Sequence, residues 1–149
     1  MIKTLHKHIH EFFRDVTAMG GFAASLLLML IFLGSPLFLP LLLGSILTAG
    51  IVIIIRILYF KNRPKKELYK NWMERIDASS FPSLHTARIV FLALLFTFFV
   101  HNYYLALLCA IIAVLVSYSR IYLKKHDWID VIGGAMLGAI AYFIIITLF

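Results

Sequence analysis

Apolar residues run along this chain in long blocks, and polar residues are confined to a few short segments between them. Residues 1–17 differ: there the two kinds alternate with a helical period. Ile2, Leu5, Ile9, Phe12, Phe13 and Val16 recur at spacings of three and four, with Lys3, Lys7, His10 and Arg14 mostly opposite. The pattern predicts an amphipathic helix lying at a membrane surface. His6, His8 and His10 alternate, which scatters them around such a helix, so they read as a polar face rather than a metal cluster.

Residues 18–60 are apolar almost throughout, enough for two crossings at about 20 residues each. The break falls at Gly34-Ser35-Pro36,. Residues 61–82 form the main polar stretch, and Leu68, Trp72 and Ile76 within it recur at helical spacing, predicting a short amphipathic lid,. Three further spans follow at roughly 85–101, 103–119 and 128–149,. Gly134 and Gly138 predict close helix packing in the last of them. The expected architecture is an all-α membrane bundle of about five transmembrane helices plus an N-terminal interfacial helix. Residues 1–149 then make a single membrane-embedded domain (1–17 interfacial helix, 18–60 two spans, 61–82 polar loop, 83–149 three spans).

Composition agrees. The chain has 149 residues, 62% of them hydrophobic and only 14% charged. A water-soluble fold of this size has too little interior for so much apolar side chain. Cys109 is the single cysteine, which excludes an internal disulfide, and it reads as a small buried hydrophobe,. No segment has the pattern of a cleavable signal peptide. The net charge of +7 fits loops facing anionic head groups,. It comes with no RNA-binding signature or zinc-ligand cluster, so nucleic acid is not an expected partner. With five spans, all 14 Lys and Arg fall on the side of the N-terminus or in adjoining span ends, and none on the other side. That asymmetry predicts a multi-pass protein whose charged side is cytoplasmic.

The charged groups at the span ends are the candidates for chemistry. Arg56 lies inside the second apolar run, and Arg63 follows seven residues later, two turns along the same helical face, before Pro64 stops the helix,. By itself Arg56 is either a snorkelling side chain or one that faces a polar cavity. Phe81-Pro82-Ser83-Leu84-His85 opens the third span. It is a helix start, and also a place where free N–H groups, a hydroxyl and an imidazole suit a phosphate. Arg88, one turn on, either lines that site or meets head groups. Ser119-Arg120 ends the fourth span, and His126 and Asp130 open the fifth, four apart on one helical face,. A carboxylate so placed is half of an ordinary helix-start ion pair, or the orienting half of an activated nucleophile. Taken together, three arginines, two histidines, a serine and an aspartate reach one membrane face, and three arginines call for a multiply charged anion.

Arg56-x6-Arg63-Pro64, Pro82-Ser83-Leu84-His85 and Ser119-Arg120-x5-His126-x3-Asp130 resemble the three-part signature of the type-2 phosphatidic acid phosphatase superfamily, in order, in spacing and in placement at span ends. The family pattern has Lys where Arg56 stands and Gly where Leu84 stands. Its bacterial members commonly have six spans, and the N-terminal helix stands here in place of the first. The resemblance implies hydrolysis of a lipid phosphate monoester or diphosphate through a phosphohistidine. Phosphatidic acid, phosphatidylglycerol phosphate and polyprenyl diphosphates are the substrate types implied. His126 is then the nucleophile, Asp130 its orienting group, and His85 the acid and base. Arg56, Arg63, Ser83, the Leu84 amide and Arg120 bind the phosphate. No metal and no cofactor is expected, because the arginines carry the charge. Two other readings remain: a phosphotransferase that passes the phosphoryl group to a lipid or sugar, and a non-catalytic relative that binds phosphate.

Overall fold

The structure is a computed structural model that describes residues 2–149, with side chains described from Thr4 onward. The Ile2 and Lys3 side chains of the amphipathic pattern lie outside the described residues. The described chain is helical with no strand: α1 (Ile2–Ala18), α2 (Phe22–Ile31), α3 (Phe38–Leu58), α4 (Trp72–Ala78), α5 (Leu84–Val100), α6 (Tyr103–Tyr122) and α7 (Trp128–Ile146).

Three of these, α3, α6 and α7, are long and apolar enough to cross a membrane, and α5 is a shorter apolar helix of 17 residues. The second half of the 18–60 run forms α3 as expected. The first half does not form a span of its own. α2 has only 10 residues, about half a crossing. It continues from α1 with a bend of 49° at Met19–Gly21, and the bent pair counts as one further candidate span. Exposed Ile46, Ile53, Ile54, Ile111, Val114, Ile132 and Met136 stud the outer faces of α3, α6 and α7. Such a belt is unfavourable in water and natural in lipid. The chain is an integral membrane protein.

α5 is the central helix, packed against α3, α6 and α7. Its Phe91, Leu92 and Leu95 meet Leu41 of α3 and Ala141 and Ile145 of α7 in the main apolar core. Two glycines let α7 touch α5 backbone to backbone. A Cβ on Gly138 would stand 2.3 Å from the Ala87 carbonyl oxygen, and one on Gly134 2.5 Å from that of Ser83. The small-xxx-small pair therefore does more than tighten packing: Gly134 seats the first turn of α5. Gly134→Ala is expected to push Ser83 off α7 and lower stability by about 1–3 kcal/mol, read as a lower unfolding midpoint in detergent together with reduced turnover.

The segment after α3 is irregular. α3 ends at Leu58, with Tyr59 already extended. Residues 61–62 then run antiparallel to 79–80: Ser80 N donates to Lys61 O at 2.8 Å, and Asn62 bridges Ser79. α4 contains Trp72 and Ile76 but not Leu68, which precedes it and is fully exposed. The amphipathic segment is thus shorter than its spacing predicts. Asn71 caps it, accepting from Glu74 N at 2.8 Å,.

Candidate active site

The end of α3, the start of α5, the end of α6 and the turn before α7 converge at one end of the bundle. Between them they bring the three charged motifs, the third being shared by the end of α6 and the turn before α7. Arg56, in the last turn of α3, is 5% exposed, and its Nη2 donates to Pro82 O at 3.0 Å. That bond ties the first motif to the second. Arg63 is also buried, donating to the Glu67 carboxylate and the Asp77 carbonyl. It is not on a helix. α3 has ended five residues earlier, so the expectation that Arg56 and Arg63 share a helical face is wrong. The ladder between 61–62 and 79–80 brings Arg63 back instead.

Ser83 is the N-cap of α5. Its Oγ accepts from Thr86 N at 3.4 Å and from Thr86 Oγ1 at 3.1 Å, while its own N donates to Asp130 O at 3.0 Å. Leu84 is the first residue of the helix and has no positive φ. A leucine fits there without strain, so replacing the family glycine leaves the amide donor in place. His85 is half-buried one residue further on. Arg120, near the end of α6, is buried and donates from Nη1 to Thr17 Oγ1 at 2.9 Å. Arg56, Arg63 and Arg120 each keep an enclosed Nε without a partner among the described residues.

His126 precedes α7 rather than belonging to it, so its nearness to Asp130 does not come from helical spacing. Asp127 caps α7 in a reciprocal box: Asp130 N donates to Asp127 Oδ1 at 3.1 Å, and Asp127 N to Asp130 Oδ2 at 3.0 Å,. The box turns the chain so that His126 Nδ1 stands 3.6 Å from Asp130 Oδ2. That is close enough for an ion pair and longer than a good hydrogen bond, and it leaves Nε2 as the outward nitrogen. His126 is 2% exposed. Burial, then the Arg120 and Arg56 guanidinium groups, outweigh Asp130 and hold its pKa below the usual histidine value. The imidazole is therefore neutral, and nucleophilic, at neutral pH.

Sequence reasoning missed Lys61. Its Nζ lies 2.8 Å from Asp130 Oδ1 and 2.6 Å from Asp127 Oδ2. Burial works against the ammonium, but the hydrogen bonds to Asp127 and Asp130 outweigh it and raise its pKa. Asp130 is fully buried, and with one oxygen on Lys61 and the other on the Asp127 amide it cannot swing away from His126. A loop lysine gives no periodic signal. Only Asp-x-x-Asp at the start of an apolar run could have flagged the box. Lys61→Met is expected to free Asp130 and remove a neighbouring positive charge. Loss of the charge raises the pKa of His126, so the acid limb of kcat/KM moves to higher pH, and the loosened Asp130 lowers the maximum about tenfold. Lys61→Arg restores the limb. A pH series of initial rates on the three proteins checks this.

Glu67 is the second missed group. It bridges Arg63 and Lys125; burial opposes its ionisation, but those two cations hold its carboxyl below the usual range. It fastens the loop after α3 to the turn before α7. Of the expected groups, His126 and Asp130 are adjacent, Arg56 reaches the Ser83 turn, and Arg63 and Arg120 flank the same end. His6, His8 and His10 are exposed on α1. Among the described residues, no three His, Cys, Asp or Glu side chains are grouped to hold a metal ion. Geometrically the site is a buried cluster of cations with one imidazole braced by a carboxylate, suited to a phosphate oxyanion and nucleophilic attack on phosphorus.

Comparison with known proteins places this arrangement. The model of the PAP2 superfamily matches residues 37–149, which contain all three motifs. Phosphatidylglycerophosphatase B of Bacillus subtilis (strain 168) is 26% identical over 112 residues, 62% of this chain. The chain spans only 55% of that curated relative's length. Among solved structures, Aquifex aeolicus LpxE is similar with a TM-score of 0.80 at 25% identity, over 93% of this chain and 86% of that one. The transmembrane PAP2-type phosphatidylglycerolphosphate phosphatase from Bacillus subtilis shares the fold at a TM-score of 0.68 and 24% identity, over 94% of this chain and 76% of that one.

Proposed function

Because the chain belongs to the PAP2 superfamily, we propose that it hydrolyses a phosphate monoester or diphosphate on a lipid through a phosphohistidine at His126, without a metal. The observation that carries the reading is the braced imidazole: His126 is buried beside Asp130 with three buried arginines at the same end of the bundle.

In the proposed reaction the phosphate enters among Arg56, Arg63 and Arg120, with the Ser83 hydroxyl and Leu84 amide on its oxygens. Nε2 of His126 attacks phosphorus in line with the lipid oxygen. The P–O bond breaks, its electron pair stays on the lipid oxygen, and His85 supplies the proton. Water then attacks the phosphohistidine, His85 takes its proton, and inorganic phosphate leaves. The arginines neutralise charge that grows on the equatorial oxygens, the work a divalent cation does in other phosphoryl transfers.

The site lies at the membrane–water boundary, so the hydrocarbon tail remains in the bilayer. We take α1 as the interfacial element, and α2, α3, α5, α6 and α7 as the five membrane segments, α2 being the shortest. Eleven Lys and Arg besides the three motif arginines lie towards the site end and none on the far side, which favours a cytoplasmic site. Relatives described as phosphatidylglycerophosphatases favour a lipid substrate. The test is phosphate release by purified protein in detergent micelles with excess EDTA, on a panel of lipid monophosphates and lipid diphosphates. Release from at least one lipid and not from soluble sugar phosphates supports the reading. Release from sugar phosphates alone, or none from any lipid, refutes it.

A further inference from the structure

Arg88 is the one buried arginine that the reaction above does not use. It lies in α5 one turn beyond His85 and is 6% exposed. Its Nη1 donates to the Gly20 carbonyl at 3.2 Å, at the corner between α1 and α2. No carboxylate lies within ion-pair reach of it among the described residues, whereas Lys61, Arg63 and Lys125 all have one. An intramembrane guanidinium held by one carbonyl is costly, and a partner anion is the usual remedy.

Arg88 lines a cavity of ≈ 280 Å³ between α2 and α3, whose other walls include Phe22, Met29, Leu42, Ile46 and Ala49. Arg88 is the only charged group in that lining. Apart from Ser25 and Ser45, the rest of the lining is apolar. The corner at Gly20 packs directly on His85: a Cβ there would stand 3.1 Å from the His85 carbonyl oxygen and 3.3 Å from its Cβ. Through that corner Arg88 adjoins the residue that protonates the leaving oxygen in the proposed reaction.

We propose that Arg88 forms a second anion subsite, which binds a non-reacting phosphate of the substrate between the scissile bond and the hydrocarbon tail. The inference rests on the function proposed above and narrows its substrate class. A lipid monophosphate places only ester or alcohol oxygens beside Arg88. A lipid diphosphate places its tail-side phosphate there, and a lipid with a phosphodiester inside its head group places that anion there. In the diphosphate case, His126 Nε2 bonds to the distal phosphorus and the bond to the bridging oxygen breaks. The electron pair remains on that oxygen, His85 protonates it, and Arg88 offsets the charge of the departing lipid monophosphate.

The test compares kcat/KM in micelles with EDTA for two matched pairs: prenyl diphosphate against prenyl monophosphate, and phosphatidylglycerol phosphate against phosphatidic acid. The wild-type protein is expected to favour the two-phosphate member of at least one pair by tenfold or more, and the pair that shows it identifies the source of the second phosphate. Arg88→Met is expected to bring that ratio down about tenfold, and Arg88→Lys to recover most of it. A wild-type preference for monophosphates, equal rates within both pairs, or a ratio unmoved in Arg88→Met overturns the proposal. So does an equal loss on both members of the pair, which marks Arg88 as a staple for the α1–α2 corner alone. Absence of turnover on all four lipids, or turnover untouched by His126→Ala, defeats the function itself and is a different result.

Discussion

Replacing His126 with alanine is expected to lower phosphate release by about four orders of magnitude or more, with the protein still folded. The size of the loss follows from the role. A residue that forms the covalent intermediate cannot be bypassed by the groups that only bind. His126 is suited to it by its surroundings rather than by its type. Asp130 faces Nδ1 at 3.6 Å, and Asp130 is itself held by Lys61 Nζ at 2.8 Å and the Asp127 amide at 3.0 Å. Folding should survive because the capping box of α7 needs Asp127 and Asp130 but not the imidazole. An unchanged unfolding midpoint beside the lost activity checks that point. A variant that keeps a tenth of the wild-type rate contradicts the assignment.

Arg56→Met is expected to cost about 10³-fold in kcat/KM, and Arg56→Lys much less. The methionine fills a similar volume but removes a buried cation from the phosphate site, and one missing charge-stabilising donor costs about 10²–10³-fold in kcat. It also removes the bond to Pro82 O that joins α3 to the Ser83 turn. Lysine keeps the charge and, by the resemblance noted above, stands at this position in the family pattern. It loses the fork, with which Arg56 reaches both Ile76 O and Pro82 O,. Steady-state rates on one lipid for the three proteins decide between these outcomes. Equal losses in both variants would mean that the fork, rather than the charge, matters.

The sequence carried the motifs and their placement at helix ends, because a Pro-Ser helix start and an arginine inside an apolar run are local signals. α5, α6 and α7 begin and end within a few residues of the spans read from hydropathy. Other features were not local. Hydropathy counts run length and not direction, so the 49° bend at Met19–Gly21 and the 10-residue α2 were hidden inside one apolar block. Nothing before Pro64 stops α3; the chain leaves the helix at Tyr59 because residues 61–62 pair with 79–80. Helical spacing therefore gave the wrong reason for Arg63, and likewise for His126, which lies outside α7. Lys61 escaped notice because its value depends on two aspartates 66 and 69 positions away.

A covalent intermediate on His126 is the central claim, and rapid quenching tests it most directly. Protein in EDTA is mixed with a lipid phosphate labelled on the reacting phosphorus, stopped within a turnover, and its peptides are mapped. The account predicts label on the peptide containing His126, lost in acid, stable in alkali, and absent from His126→Ala. Burst-free turnover with no label on the protein, or label on another residue, would contradict it.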